Sequence, residues 1–335
     1  AEATGRAAMA LTQNPITPRQ VVTHKAVENA LRVLMAIGGS TNAVIHLTAI
    51  AGRAGVPVAL DRLNAISDET PVLVDLKPVG EGYMEDFFAA GGMGAVLREL
   101  KPLLHLDTLD VEGRTLEQRL AEPLDFVDRK IIHTLNAPVS KVGGLVALRG
   151  TLAPLGAILK RAAATESLFE SEGRAVVFEN LEDLARRIDD PALDVTPGDV
   201  LVLKNAGPRA AAMPEAGYLP IPKKLARQGV KDMVRISDAR MSGTAFGTVV
   251  LHVTPESAAG GPLAAVRGGD RIRLSVKDRR IDLLVAPDEI ARRLSGHTLP
   301  AVPERGYAAL YQRSVTQADR GCDFDFLIGR SPLRP

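Results

Sequence analysis

The chain has 335 residues, 46% hydrophobic and 24% charged, a globular composition without low-complexity tracts and long enough for two domains. Its 41 basic and 40 acidic side chains nearly cancel, so charge gives no reason to expect nucleic acid or an anionic membrane as a partner. The single cysteine, Cys322, excludes an internal disulfide, cannot hold an iron–sulfur cluster alone, and fits a reducing, cytoplasmic setting.

The amino end, Ala1 to Arg6, has no basic stretch followed by an apolar core, so it does not read as a signal peptide. It lacks an initiator Met, and the chain is expected to begin inside a longer protein. The longest apolar runs are too short to span a bilayer. Thr17-Pro18 predicts a helix start, and Ala26, Ala30, Leu31, Leu34 and Met35 form an apolar stripe at helical spacing. Gly38-Gly39 breaks that helix, and Ser40-Thr41-Asn42 opens a second one running through Ile50 to about Gly52. A β-like run follows at Pro71 to Leu76, then two short helices at Gly82 to Gly92 and Met93 to Leu100.

After about Pro123 strands dominate. They are predicted at Lys141 to Arg149, Ala175 to Phe178, Val200 to Leu203, Met233 to Ser237 and Phe246 to Val253. Arg271 to Val276 and Ile281 to Val285 read as a hairpin across Lys277-Asp-Arg-Arg. Helices intervene near Leu181 to Ile188, Pro222 to Gln228 and Asp288 to Leu294. The pattern implies an α/β first part, then a β-rich barrel or sandwich with peripheral helices, with a boundary near residue 125.

Three segments carry candidate chemistry. Between two strands, Ser237 to Val253 sets Asp238, Arg240, Ser242 and Thr244 around Gly243, where a stiff turn can aim hydroxyls for proton transfer. The same segment also reads as the polar tip of a hairpin. At Gly38 to Asn42, free N–H groups at a helix start suit an anion, although Ser40 or Thr41 also reads as an ordinary helix cap. In the loop Asn205 to Glu215, the carboxylate behind Pro214 suits a hard metal such as Mg²⁺, or is a surface Glu. Of the six histidines, none pairs at helical metal spacing; His252 is the exception to weigh, lying beyond Ser242 on the same strand.

Together these segments resemble the dihydroxy-acid dehydratase and phosphogluconate dehydratase family. The matching pieces are Gly38-Gly-Ser-Thr-Asn-Ala43, Asp75-Leu-Lys-Pro-Val-Gly80, Ala90-Gly-Gly92, Leu148-Arg-Gly-Thr-Leu-Ala-Pro154, Met213-Pro-Glu215 and Asp238-Ala-Arg-Met-Ser-Gly243. Their order and spacing match along the whole chain. The forms Ala239-Arg-Met-Ser-Gly-Thr-Ala-Phe-Gly-Thr248 and Gly217-Tyr-Leu-Pro-Ile-Pro222 look like the sugar-acid (aldonate, for example arabinonate) branch. The resemblance implies loss of water from a 2,3-dihydroxy carboxylate to give a 2-keto-3-deoxy acid, with Mg²⁺ and a 2Fe–2S cluster as Lewis acids. It implies Ser242, as an alkoxide, as the base and Glu215 as a Mg²⁺ ligand. Ser40, Thr41, Asn42 and Thr244 are implied as substrate contacts.

The family's cluster cysteines and the rest of its Mg²⁺ site precede this chain, and Cys322 matches none of them, so no cluster ligand is expected here. The chain therefore resembles the C-terminal portion of such an enzyme. Residues 1–125 would complete its α/β N-terminal domain, and residues 126–335 would form its swivelling β-barrel-like domain. The expected partners are a small sugar acid, the missing N-terminal region and further copies of the chain. The Gly207 to Pro214 loop is one residue shorter than the family's form and poorer in glycine. Two rival readings are a branched-chain dihydroxy-acid dehydratase and a truncated chain inactive on its own.

Overall fold

A computed structural model describes residues 1–213, 219–242 and 245–329. The strands, in chain order, are β1 (Val146–Leu148), β2 (Gly156–Leu159), β3 (Glu170–Phe178), β4 (Val200–Leu203), β5 (Arg235–Ser237), β6 (Val249–Thr254), β7 (Arg271–Ser275) and β8 (Arg280–Leu283). They form one sheet in the order β1-β2-β6-β5-β4-β3-β7-β8. The central strands β3, β4, β5 and β6 are parallel, and the flanking pairs are antiparallel.

The sheet rolls up until its two ends meet. Arg149 N–H donates to Arg279 O at 2.9 Å and Ile281 N–H donates to Arg149 O at 2.9 Å. Thr151 adds a side-chain clasp, its N–H donating to Asp282 Oδ1 at 2.9 Å and its Oγ1 accepting from Leu283 N–H at 2.9 Å. The result is a nearly closed, barrel-like sheet, as expected from the sequence.

Strand alternation explains the packing. Val200 and Val202 of β4 face the interior with Val146, Leu148, Leu159, Ile236, Val250 and Leu274, so the barrel is filled. Leu201 and Leu203 face outward and are covered by the helices Leu181–Arg187 and Lys223–Arg227 through Leu184, Ile188 and Leu225. On another face Leu145, Ala147 and Ile158 pack against the helices His24–Ala36, Thr41–Arg53 and Leu60–Glu69. Leu31, Leu63 and Ile66 are almost wholly buried there. Together they stabilise the contact between helical layer and barrel by roughly 5 kcal/mol. Gly143 and Gly144 make that approach possible: an added Cβ would lie 2.8 Å from Met35 Cβ or 2.8 Å from Gly38 Cα respectively.

Several expectations need correction. β5 and β6 are parallel, with Arg235 opposite Val249, so the segment between them is a crossover and not a hairpin tip. Strand β2 was not anticipated, nor were the helices Leu60–Glu69 and Gly306–Ser314. The helix expected from Thr17 is broken: Pro18–Val21 forms one turn, and Thr23 then caps His24–Ala36 by accepting from Ala26 N–H. The run Pro71 to Leu76 is extended but makes only isolated bridges, to Ser140, Ile132 and Gly82.

Candidate active site

Because β4, β5 and β6 run in parallel, the connections leaving them start from one end of the barrel. That is where open parallel sheets commonly bind ligands. A buried carboxylate ties the three together. Asp238, 1% exposed, follows β5; its Oδ1 accepts from Ala206 N–H after β4 at 2.9 Å, and its Oδ2 from Ser257 N–H after β6 at 2.9 Å. Burial pushes the Asp238 carboxyl up from the usual carboxylate range, and the two backbone donors oppose that shift.

A second buried acid, Glu256, organises the loop after β4. Its carboxylate accepts from the N–H groups of Arg209, at 2.9 and 3.0 Å, and Ala210, at 3.2 Å, at the start of the single turn Pro208–Ala211. Gln317 donates to it at 2.7 Å from the far carboxyl-terminal segment. Burial raises the Glu256 pKa, while Gln317 and the backbone donors pull it down.

Two of the sequence-predicted segments meet here. Arg240 Nε donates to Met213 O at 2.7 Å, joining the loop that leads to Glu215 to the crossover that carries Ser242. A third joins from the helical layer. Asn42 Nδ2 donates to Met241 O at 2.9 Å, across 199 positions of sequence. Asn42 and Thr41 are buried at the start of the helix Thr41–Arg53, and Ser40 caps that helix by accepting from Asn42 N–H at 3.1 Å. The capping role weighed for Ser40 is therefore present. Ser242 is exposed, and its carbonyl accepts from Ala245 N–H at 2.9 Å. Glu215, Gly243 and Thr244 lie outside the described residues.

His252 is set apart by a β-bulge. Between β2 and β6, Ile158 pairs with Leu251 and Gly156 with Thr254, so β6 carries one extra residue, and His252 adopts a left-handed φ of 60°. The bulge turns its imidazole, 3% exposed, into a small cavity that Val44, Thr48 and Asp319 also line. Burial, reinforced by Arg240 and His46, holds its pKa down at about 3, so it is neutral at physiological pH. Its Nε2 and Asp319 Oδ1 have no hydrogen-bond partner among the described residues.

Cys322 is a free thiol with its Sγ 3.4 Å from Met213 Sδ, and burial pushes its pKa up to about 12. A neutral, packed thiol does not fit a cluster ligand. Among the described residues no three His, Cys, Asp or Glu side chains gather as a metal site. Among them too, no helix is long and apolar enough to cross a membrane.

The barrel, its crossover and the motif-bearing loops correspond to a family of known dehydratases. Residues 130–322 match the Dihydroxy-acid/6-phosphogluconate dehydratase C-terminal family, and residues 1–119 match its N-terminal counterpart. The chain belongs to the dihydroxy-acid/6-phosphogluconate dehydratase family, and it carries sequence of both domains instead of the C-terminal one alone. It is 52% identical to an L-arabonate dehydratase of Azospirillum brasilense, over 92% of this chain and 55% of that protein. It is 48% identical to a 6-deoxy-6-sulfo-D-gluconate dehydratase of Pseudomonas putida, over 96% and 56%. It is 46% identical to an L-arabinonate dehydratase of Rhizobium leguminosarum, over 98% and 57%. The chain thus spans little more than half the length of these relatives.

Sequence reasoning picked out Asp238 and Arg240 but not Glu256 or Gln317, which act across long separations. A buried acid behind a cis Thr254-Pro255 bond carries no local motif.

Proposed function

We propose that this chain provides the barrel half of the active site of a hydro-lyase that converts a sugar acid (an aldonate) to its 2-keto-3-deoxy acid. The observation that carries the reading is the Arg240–Met213 hydrogen bond of 2.7 Å, which holds the approach to Glu215 against the approach to Ser242. The names of the similar dehydratases, two of them acting on arabonate or arabinonate, support the choice of substrate class. The division at residue 125 is part of the same reading.

In this scheme the Ser242 alkoxide removes the proton from C2, the electron pair left behind forms the C2–C3 double bond, and the 3-hydroxyl departs as hydroxide, which takes up the proton held by Ser242 to leave as water and restore the alkoxide. The enol then tautomerises to the ketone. A free serine hydroxyl is too weak an acid for this at neutral pH, so the guanidinium of Arg240, two positions earlier, serves to favour the anion. Ser40, Thr41, Asn42 and Thr244 are assigned to binding the substrate's carboxylate and hydroxyls. A Mg²⁺ ion with Glu215 among its ligands would supply Lewis-acid stabilisation of the developing enolate. A 2Fe–2S cluster does not fit the residues of this chain, so no step is assigned to one here; its ligands would come from elsewhere in the protein. A cytoplasmic, homo-oligomeric enzyme is part of the proposal.

The test is formation of 2-keto-3-deoxy acid from L-arabinonate by the protein that carries these residues. Ser242→Ala is expected to lower turnover by about 10²–10⁴-fold, the range for removing a positioned base. Near-normal turnover in that variant refutes the assignment, and preference for 2,3-dihydroxyisovalerate would move the enzyme to branched-chain amino-acid synthesis. The single cysteine, too few to hold a cluster, favours a second reading, that these 335 residues alone are inactive; stoichiometric iron and sulfide in the purified chain would contradict it.

A further inference from the structure

Beside the Arg240–Met213 contact lies a cavity of about 250 Å³. It is lined by Arg240 and Met213, by His46 from the helix Thr41–Arg53, and by Tyr311, Cys322 and Asp323 from the carboxyl-terminal segment. Arg240 stands two positions before Ser242, and Met213 two before Glu215, so the cavity adjoins both loops of the proposed reaction centre. At about 30 Å³ per water, it has room for roughly eight waters, comparable to a short polyol chain.

Its polar side chains include the donors Arg240 and Tyr311, beside His46. Arg240 is cationic, and its Nη1 lies 3.5 Å from His46 Nε2. Burial pushes the Tyr311 hydroxyl up to about 12, so it keeps its proton. Burial likewise keeps the Cys322 thiol neutral. The acid on the wall, Asp323, is occupied by a two-pronged ion pair with Arg53 at 2.6 Å on each arm. A tail of hydroxyls would satisfy these donors; an alkyl tail would desolvate them with nothing in return.

We propose that this cavity is the subsite for the end of the substrate remote from its carboxylate, and that His46, Arg240 and Tyr311 select a hydroxylated tail over an alkyl one. The proposal rests on the dehydratase reading for the orientation of the ligand, but not for its occupancy.

The probe is the ¹³C-methyl NMR signal of Met213 in the 335-residue protein. L-Arabinonate is compared with 2,3-dihydroxyisovalerate, which has the same carboxylate and diol but a methyl tail. Saturable shifts of Met213 are expected, with arabinonate binding about tenfold more tightly, the worth of one or two well-made hydrogen bonds. Tyr311→Phe and His46→Ala should each cut that preference to about threefold or less, by weakening arabinonate binding and by sparing dihydroxyisovalerate the cost of desolvating a donor. A Met213 signal unmoved by saturating arabinonate, or a preference intact in both variants, overturns the subsite. Arabinonate bound at Met213, with no Ser242-dependent turnover by the protein that carries these residues together with its cluster ligands, would instead sink the dehydratase reading and leave the subsite standing.

Discussion

Replacing Asp238 by Asn tests whether one buried carboxylate organises the reactive end of the barrel. The two side chains have the same shape, so no cavity forms. Asn keeps one carbonyl oxygen, and one of the backbone donors, Ala206 or Ser257, keeps its acceptor at 2.9 Å. The other donor then faces an NH₂ group. Losing a hydrogen bond to a charged acceptor costs about 1.5–3 kcal/mol, and leaving buried donors unsatisfied costs about 1–3 kcal/mol more. The neutral amide recovers part of this, because burial is what raises the Asp238 pKa. The expected net loss is about 2–4 kcal/mol in urea unfolding. It should be accompanied by faster amide hydrogen exchange at Ala206 and Ser257. A variant within about 0.5 kcal/mol of the wild type, with both amides still protected, would refute the idea that Asp238 holds the three connections together.

Three further outcomes follow from the geometry. His252 has a folded pKa of about 3, below its ordinary value, so the native state binds fewer protons than the unfolded one. Its contribution is full above pH 6.5 and is lost as pH falls toward 3, by about 1.4 kcal/mol per unit. His252→Asn, which tolerates the left-handed backbone, should flatten the difference curve in that window; parallel wild-type and variant curves from pH 6 to 4 would exclude it. Gly144→Ala forces a methyl to within 2.8 Å of Gly38 Cα and should destabilise by about 1–3 kcal/mol, read as a lower thermal midpoint. Arg240→Lys loses the Nε donor to Met213 and should reduce turnover more than it reduces stability, whereas equal proportional losses would indicate a purely structural role.

Much of this architecture was legible in the sequence because aliphatic runs such as Val200 to Leu203 and paired breakers such as Gly38-Gly39 leave local marks. The direction in which neighbouring strands run does not. Met233 to Ser237 and Thr248 to Val253 read correctly as strands, but nothing in their periodicity distinguishes a hairpin from a crossover. Gly156–Leu159 was missed because it opens on Gly and Ala, both poor strand formers, which leaves only Ile158 and Leu159 as an aliphatic mark. The helix Leu60–Glu69 was missed because polar side chains outnumber its apolar stripe of Leu60, Leu63 and Ile66. Within the site, the motif residues Asn42, Met213 and Arg240 announce themselves, whereas their junction is a product of folding. Tyr311 and Gln317 gain meaning only because the last segment of the chain returns to the loop after β4.

The clasp between Arg149, Thr151 and the β8 strand also bears on how copies of this chain can associate. The bridge and clasp between the first and last strands of the rolled sheet occupy part of the amide rim that an open edge would offer a neighbour. Pairing through those two strands would first have to undo that seam, so edge-to-edge addition at this point of the cylinder carries an opening cost.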